Sequence, residues 1–312
     1  MRYYYFNPFS KKCYFPEGFY NYPIFTTFYK PYKNTAKIMW KIWKNSVFIR
    51  NLFYTDHPEN ILPIKQIGKY VSTESILAFN LGTTGIEQKI TVLGFDKLTK
   101  ASFFIKYATS KVSRQNVSNE GEVLNQISHL PFIPILQLFV KDEKNFTLIK
   151  TSVLKGNKMK QQPLNSRVLK MLFTLSTQKI KSCRNYESDL QTCFAHGDLT
   201  PWNMLEDEGT VRIFDWEMAG QYPLGYDLFT YIFQYEFLVN EKTRFEFLLN
   251  KNFEMINQYF NNFQIVDWMP YLHEFSKLKY KLEFEKNNFD LIQSYMKLIK
   301  FACNYKLIKK AS

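Results

Sequence analysis

Cysteine is scarce in this chain, acidic residues are outnumbered, and long apolar runs are missing. Four cysteines, at 13, 183, 193 and 303, stand in 312 residues without a C-x-x-C pair or a histidine at zinc-ligand spacing. That excludes a disulfide framework and a cysteine-based metal site, and fits free thiols in a reducing cytosol. No stretch approaches the ~18 apolar residues of a spanning helix. Residues 1–13, MRYYYFNPFSKKC, lack the apolar core of a signal peptide, so a cytoplasmic location is expected. With 28 Asp and Glu against 41 Lys and Arg, the net charge is +13. Such a balance suits an anionic partner: nucleic acid, a membrane surface or a phosphorylated substrate. No nucleic-acid-reading motif and no tight lysine cluster occur, so no nucleic-acid partner is expected. Heavy use of Lys, Asn, Phe, Tyr and Ile is also what an AT-rich coding sequence produces, so part of the charge and of the 18% aromatic content reflects composition alone. At 46% hydrophobic and 22% charged residues, the chain reads as an ordinary globular protein of one large or two modest domains.

What is present concentrates in residues 193–226, CFAHGDLTPWNMLEDEGTVRIFDWEMAGQYPLGY. Asp198 is followed five residues later by Asn203, the spacing of the kinase catalytic loop H-R-D-x-x-x-x-N. A hairpin turning at Glu206-Asp207-Glu208-Gly209 and returning over 211–214 would carry Asp215 back beside Asn203. Phosphoryl transfer needs those parts: a carboxylate to orient and deprotonate the attacking hydroxyl, and an amide and a second carboxylate to hold Mg²⁺ on a triphosphate. Asp198 is the expected base, Asn203 and Asp215 are the expected metal ligands, and Glu217 supports them.

Together, HGDLTPWN and FDWE resemble the aminoglycoside phosphotransferase and choline kinase-like family, small-molecule relatives of protein kinases. The resemblance implies an α+β, two-lobed protein kinase-like fold. It would comprise a five-stranded antiparallel N-lobe with one helix and a mainly helical C-lobe. The expected division is an N-terminal aromatic and basic extension over 1–64, a nucleotide-binding lobe over 65–150 and a helical lobe with catalytic loop and acceptor site over 151–312. The resemblance also implies ATP or GTP as co-substrate, Mg²⁺ as cofactor and a small-molecule acceptor. In the family, the residue matching Asp227 anchors the catalytic loop; its place at the start of DLFTYIFQYEFL also suits an N-terminal helix cap.

Upstream, strands are expected over 76–79, 89–95 and 102–107. The tight turn Gly82-Thr83-Thr84-Gly85 could cradle phosphates with backbone N–H groups and threonine hydroxyls. Lys106 lies in the apolar run FFIKYA, where a charge needs a partner, and a helix over 117–127 offers Glu120 and Glu122. A strand lysine paired with a helix glutamate is how kinases hold the phosphate-contacting lysine. Resemblance to the family favours Glu120, with Glu122 as the alternative. Two further strands, 131–140 and 145–149, precede an interlobe hinge at 150–153, and a helix spans 165–181. Two or three amphipathic helices fill 241–310; in relatives this helical part builds the acceptor site, which the resemblance implies here.

The first 64 residues are an addition that the family fold does not require. They offer a short hairpin, 3–6 with 13–15 around Asn7-Pro8, and a helix over 35–53. That helix carries Trp40, Trp43 and Lys37, Lys41 and Lys44, so packing on its own domain competes with peripheral contact with the inner membrane surface. Aminoglycosides and choline are cations, which a +13 chain hosts awkwardly. A sugar or saccharide precursor suits the charge better. The competing class is a catalytically idle kinase fold acting as a scaffold, against which stands the presence of every catalytic position.

Overall fold

The computed structural model describes residues 2–6, 11–28, 34–142, 144–160, 162–181, 184–239 and 244–311. The expected Asn7-Pro8 turn and Cys183 lie outside them. The chain forms two compact units, Met1–Gly121 with Ile135–Val153, and Glu122–Pro134 with Leu154–Ser312.

The first unit is built on one antiparallel sheet. Its strands in chain order are β1 (Tyr3–Tyr5), β2 (Cys13–Pro16), β3 (Tyr54–Thr55), β4 (Ser75–Asn80), β5 (Lys89–Asp96), β6 (Ala101–Ala108), β7 (Leu136–Asp142) and β8 (Phe146–Ser152). Their spatial order is β3-β1-β2-β4-β5-β6-β8-β7. The expected five strands are all there, and the N-terminal segment adds three more through the β2–β4 pairing of Cys13 with Asn80 and Tyr14 with Phe79. Strand periodicity then sorts the apolar residues onto two faces. Tyr3, Tyr14, Leu77, Phe79 and Val92 enter one core with Ile105 and Leu148. Tyr4, Cys13, Phe15, Ile76, Ala78 and Leu93 enter another with Phe19, Phe25, Trp40 and Trp43.

Short helices α1 (Pro23–Phe28), α2 (Asn34–Asn45), α3 (Val47–Arg50) and α4 (Ile64–Gly68) belong to this unit. The single helix expected over 35–53 is therefore two, because Ser46 leaves helical geometry and its Oγ accepts from the Ile49 N–H at 3.3 Å, capping α3. Trp40 and Trp43 stack at 5.2 Å and are buried against Phe6 and Phe15, so these rings pack inward.

Helix α5 (Lys111–Gln126) begins six residues before the expected start at 117. Ser110 caps it, its Oγ accepting from Ser113 N–H at 3.1 Å, a signal hidden in the polar run SKVSRQ. β7 starts at Leu136 instead of 131 because Pro131 and Pro134 supply no ladder donors. β8 runs on through Ser152, so the residues expected as a hinge are mostly strand: Lys150, Thr151 and Ser152 pair with Ile105, Phe104 and Phe103.

In the second unit the elements are β9 (Asn157–Lys158), α6 (Ser166–Ser176), β10 (Thr192–Ala195), β11 (Met204–Asp207), β12 (Thr210–Ile213), β13 (Gly220–Pro223), α7 (Tyr226–Val239), α8 (Phe245–Asn261), α9 (Met269–Glu285) and α10 (Phe289–Ala311). Asn165 caps α6, accepting from Arg167 and Val168 N–H at 3.1 Å, and α6 ends five residues short of the expected 181. Two small sheets follow, β10 with β13 and β12-β11-β9. The hairpin turn is the pair Glu208-Gly209, tighter than the four residues expected. Helix α7 is buried on nearly every side, and an all-round apolar helix belongs at the centre of a helical unit. Phe275 of α9 and Phe260 of α8 pack on its Phe229 at 5.5 and 5.9 Å.

Candidate active site

The loop from β10 to β11 is held by Asp227, in the first turn of α7. Its carboxylate accepts from the backbone N–H of His196 at 2.6 Å and of Gly197 at 3.0 Å. This side chain anchors the loop rather than capping its own helix. Burial pushes its pKa up to about 7, and the two N–H donors and the Lys279 charge pull it back.

His196 is fully buried, with its Nε2 3.0 Å from the Phe214 carbonyl, while its Nδ1 accepts from Asp198 N–H at 3.3 Å. Those partners require a neutral ring protonated on Nε2. Its task is to tie the loop to the end of β12, which is structural.

Gly197 has φ +84°, and a Cβ there would meet the Met218 carbonyl oxygen at 2.2 Å and the Tyr222 hydroxyl at 2.7 Å. Gly197→Ala is expected to destabilise the unit by more than about 1 kcal/mol and to displace Asp198. Denaturant midpoints and turnover measured on the same preparation test this.

Asp198 is then presented with both carboxylate oxygens engaged. Asn203 Nδ2 donates to Oδ2 at 2.9 Å and to the Asp198 carbonyl at 2.9 Å, and Gln234 Nε2 donates to Oδ1 at 3.0 Å. Behind Gln234, the Lys279 ammonium donates to its Oε1 at 2.5 Å. Lys279 is only 3% exposed and lies over the Tyr226 ring, 5.1 Å from its centroid. Burial raises the Asp198 pKa, and Lys279, with Lys286 and Asn203, works against that rise while Asp215 adds to it. Burial likewise lowers that of Lys279, with Asp198 and Glu283 opposing.

The return strand delivers Asp215 as expected: Phe214 N–H donates to the Asn203 carbonyl at 3.1 Å. Asp215 takes φ +71°, ψ 58°, a left-handed conformation that Asp tolerates better than most residues. Carboxylate oxygens of Asp215 and Glu217 lie within 4.8 Å of one another. Because Asn203 spends its Nδ2 on Asp198, its carbonyl Oδ1 is the atom left for a cation. Amide and carboxylate oxygens are the donor set that Mg²⁺ takes.

In the first unit, Lys106 of β6 meets Glu120 of α5 with Nζ to Oε2 at 2.6 Å, and both side chains are buried, at 8% and 3% exposure. Glu120, the residue that the family resemblance favours, reaches it. The loop at 82–85 is exposed at Thr83 and Thr84. Gly82 takes φ +71°, where a Cβ would meet the Lys89 carbonyl at 2.6 Å. Its N–H is held by Asn80 Oδ1 at 2.9 Å, and farther along Ser110 Oγ donates to the Ile86 carbonyl at 2.5 Å.

Gln234 and Lys279 were not among the residues that the sequence singled out. A signal for Gln234 exists, as the one amide in the apolar run DLFTYIFQYEFL. Lys279 lies 81 positions beyond Asp198 among alternating lysines and glutamates, and nothing marks it.

The sequence model of the phosphotransferase enzyme family, APH, matches residues 157–245, the segment that holds this loop and both acidic positions. Among solved structures, the ethanolamine kinase of Plasmodium vivax is similar at 12% identity and a TM-score of 0.55, covering 89% of this chain and 96% of that one. An amicoumacin kinase, solved in complex with AMP-PNP, Ca²⁺ and Ami, is similar at 12% identity and a TM-score of 0.52, covering 77% of this chain and 94% of that one. At such identity the likeness speaks to the fold, which is the protein kinase-like one. No curated protein matches the chain. With the family's own segment at its centre, the chain resembles the aminoglycoside phosphotransferase and choline kinase-like family.

Proposed function

We propose that this protein is a small-molecule kinase, moving the γ-phosphate of ATP or GTP to a hydroxyl group. The observation that carries the reading is Asp198, a carboxylate held at both oxygens on a loop whose Asn203 keeps a carbonyl oxygen unused by Asp198 and whose following hairpin, β11 with β12, leads to Asp215. Asp198 orients the acceptor hydroxyl and takes its proton, so that the oxygen attacks in line. Asn203 and Asp215 would hold Mg²⁺, with Glu217 beside them. The ion supplies charge neutralisation on the phosphate oxygens. Lys106, kept extended by Glu120, would contact the nucleotide's α- and β-phosphates, and the 82–85 loop would cover them with the N–H groups of residues 83–85 and the hydroxyls of Thr83 and Thr84, while Asn80 holds the Gly82 N–H.

For the acceptor, a sugar or saccharide precursor fits best. The charges that act on Asp198 are mixed, Lys279 and Lys286 against Asp215, so the preference rests on the net charge of +13. Trp202, half-buried in the loop, stands 6.1 Å from Tyr235 of α7, and such rings suit the apolar face of a sugar. A cytoplasmic location supplies ATP, and contact of residues 35–53 with the inner membrane surface would bring the enzyme to a saccharide precursor there.

The test is thermal unfolding with Mg-ATP, Mg-GTP and no nucleotide, on wild type and Asp215→Ala. Nucleotide at 100 times its Kd adds about 2.7 kcal/mol, which raises the midpoint by several degrees. Wild type is expected to shift and Asp215→Ala to shift much less. A wild-type protein indifferent to both nucleotides would sink the reading.

A further inference from the structure

Helix α2 has two apolar faces and only one of them is used. Trp40 and Trp43 fill the aromatic core described above, whereas Ile38, Met39 and Ile42, one turn of helix on another side, are at least half exposed. After the Ser46 cap, Val47, Phe48 and Leu52 continue outward, Phe48 at 76% exposure. Single exposed apolar residues are ordinary, but six large ones within fifteen positions mark a surface meant to be covered.

Charge selects what covers it. Residues 18–55 contain no Asp or Glu and six Lys or Arg. Lys37 and Lys41 stand exposed on α2 and Lys44 half-buried, while Arg50 turns inward over the Tyr20 ring. A second copy of the chain would bring this positive stretch against itself. A nucleic acid would satisfy the lysines but would leave Ile38 and Phe48 in water. Anionic phospholipid offers both components, headgroup charge for the lysines and an acyl boundary for the apolar side chains.

We propose that the outward face of α2 and α3 docks on an anionic membrane surface. The seat is peripheral: no helix among the described residues is long and apolar enough to cross a membrane. The inference stands apart from the phosphotransferase reading, since lipid binding can be read without turnover.

The experiment is sedimentation of the full chain with vesicles of phosphatidylcholine alone and with about one-third phosphatidylglycerol, at low and high salt. Binding is expected only with the anionic vesicles, and weaker in high salt. The pair Ile42→Asp and Phe48→Asp should abolish it, and Lys37→Glu with Lys41→Glu should reduce it at least about tenfold. All four positions are on the surface, so unfolding midpoints should match wild type and the nucleotide-induced shift should persist. Three results would each overturn the proposal: wild type left in the supernatant, binding unaffected by the substitutions, or a wild-type dimer that these substitutions convert to monomer. The last would assign the face to a second copy.

Discussion

Asp198→Ala should lower kcat by about 10²–10⁴-fold, the usual contribution of a positioned general base. Nucleotide affinity should stay close to wild type, because in the proposed mechanism the side chain acts on the acceptor hydroxyl and not on the triphosphate. The nearer isostere, Asp198→Asn, is expected to be no milder. Both carboxylate oxygens accept hydrogen bonds, one from Asn203 Nδ2 and one from Gln234 Nε2. An amide at 198 has one acceptor oxygen, so its own NH₂ group must face one of those donors and push it away. Gln234→Leu tests the same geometry from the other side. It removes one of the two donors and strands the Lys279 ammonium, so kcat should fall less than in Asp198→Ala while stability falls more. Single-turnover rates alongside nucleotide titrations separate these outcomes. Equal and mild effects of Asp198→Ala and Asp215→Ala on both quantities would contradict the assigned roles.

That network also marks where the sequence stops being readable. Asp198, Asn203 and Asp215 are legible because a loop, a hairpin and its return strand are contiguous, so spacing alone places the three side chains. The same locality identifies Lys106, a charge inside an apolar strand, and limits its partner to two glutamates on the next helix. Gln234 and Lys279 reach Asp198 only through the packing of α7 and α9, whose interhelical contacts no sequence spacing fixes. The N-terminal segment shows the same divide. Two short aromatic runs on either side of Asn7-Pro8 announce the hairpin of β1 and β2, but its joining to β4 at Cys13 and Asn80 is a nonlocal pairing. For Trp40 and Trp43 the sequence favours packing over an interfacial seat, and it is the sheet beneath them that shows which core they enter. The faces at Ile38 and Phe48 become meaningful only once that choice is known.

Glu120→Ala should destabilise the first unit by about 3–5 kcal/mol, since it leaves the buried Lys106 ammonium without its close carboxylate. The double substitution Lys106→Met with Glu120→Leu removes both charges and fills the space with apolar side chains. Replacing a buried ion pair in this way is often neutral or stabilising, so the double variant should recover most of the lost stability. It should recover none of the activity. A pair retained only for folding would be dispensable in that background, and turnover would return with the fold. A pair retained to aim the ammonium at phosphate oxygens cannot be replaced by methionine, and kcat/KM for the nucleotide should stay low in both variants. Denaturant titrations of wild type, Glu120→Ala and the double variant, each followed by turnover at saturating acceptor, decide between them. Activity that tracks stability through the series would remove Lys106 from the nucleotide site. Stability restored without activity would leave the buried charge explained by chemistry alone, because the fold would have been shown to do without it.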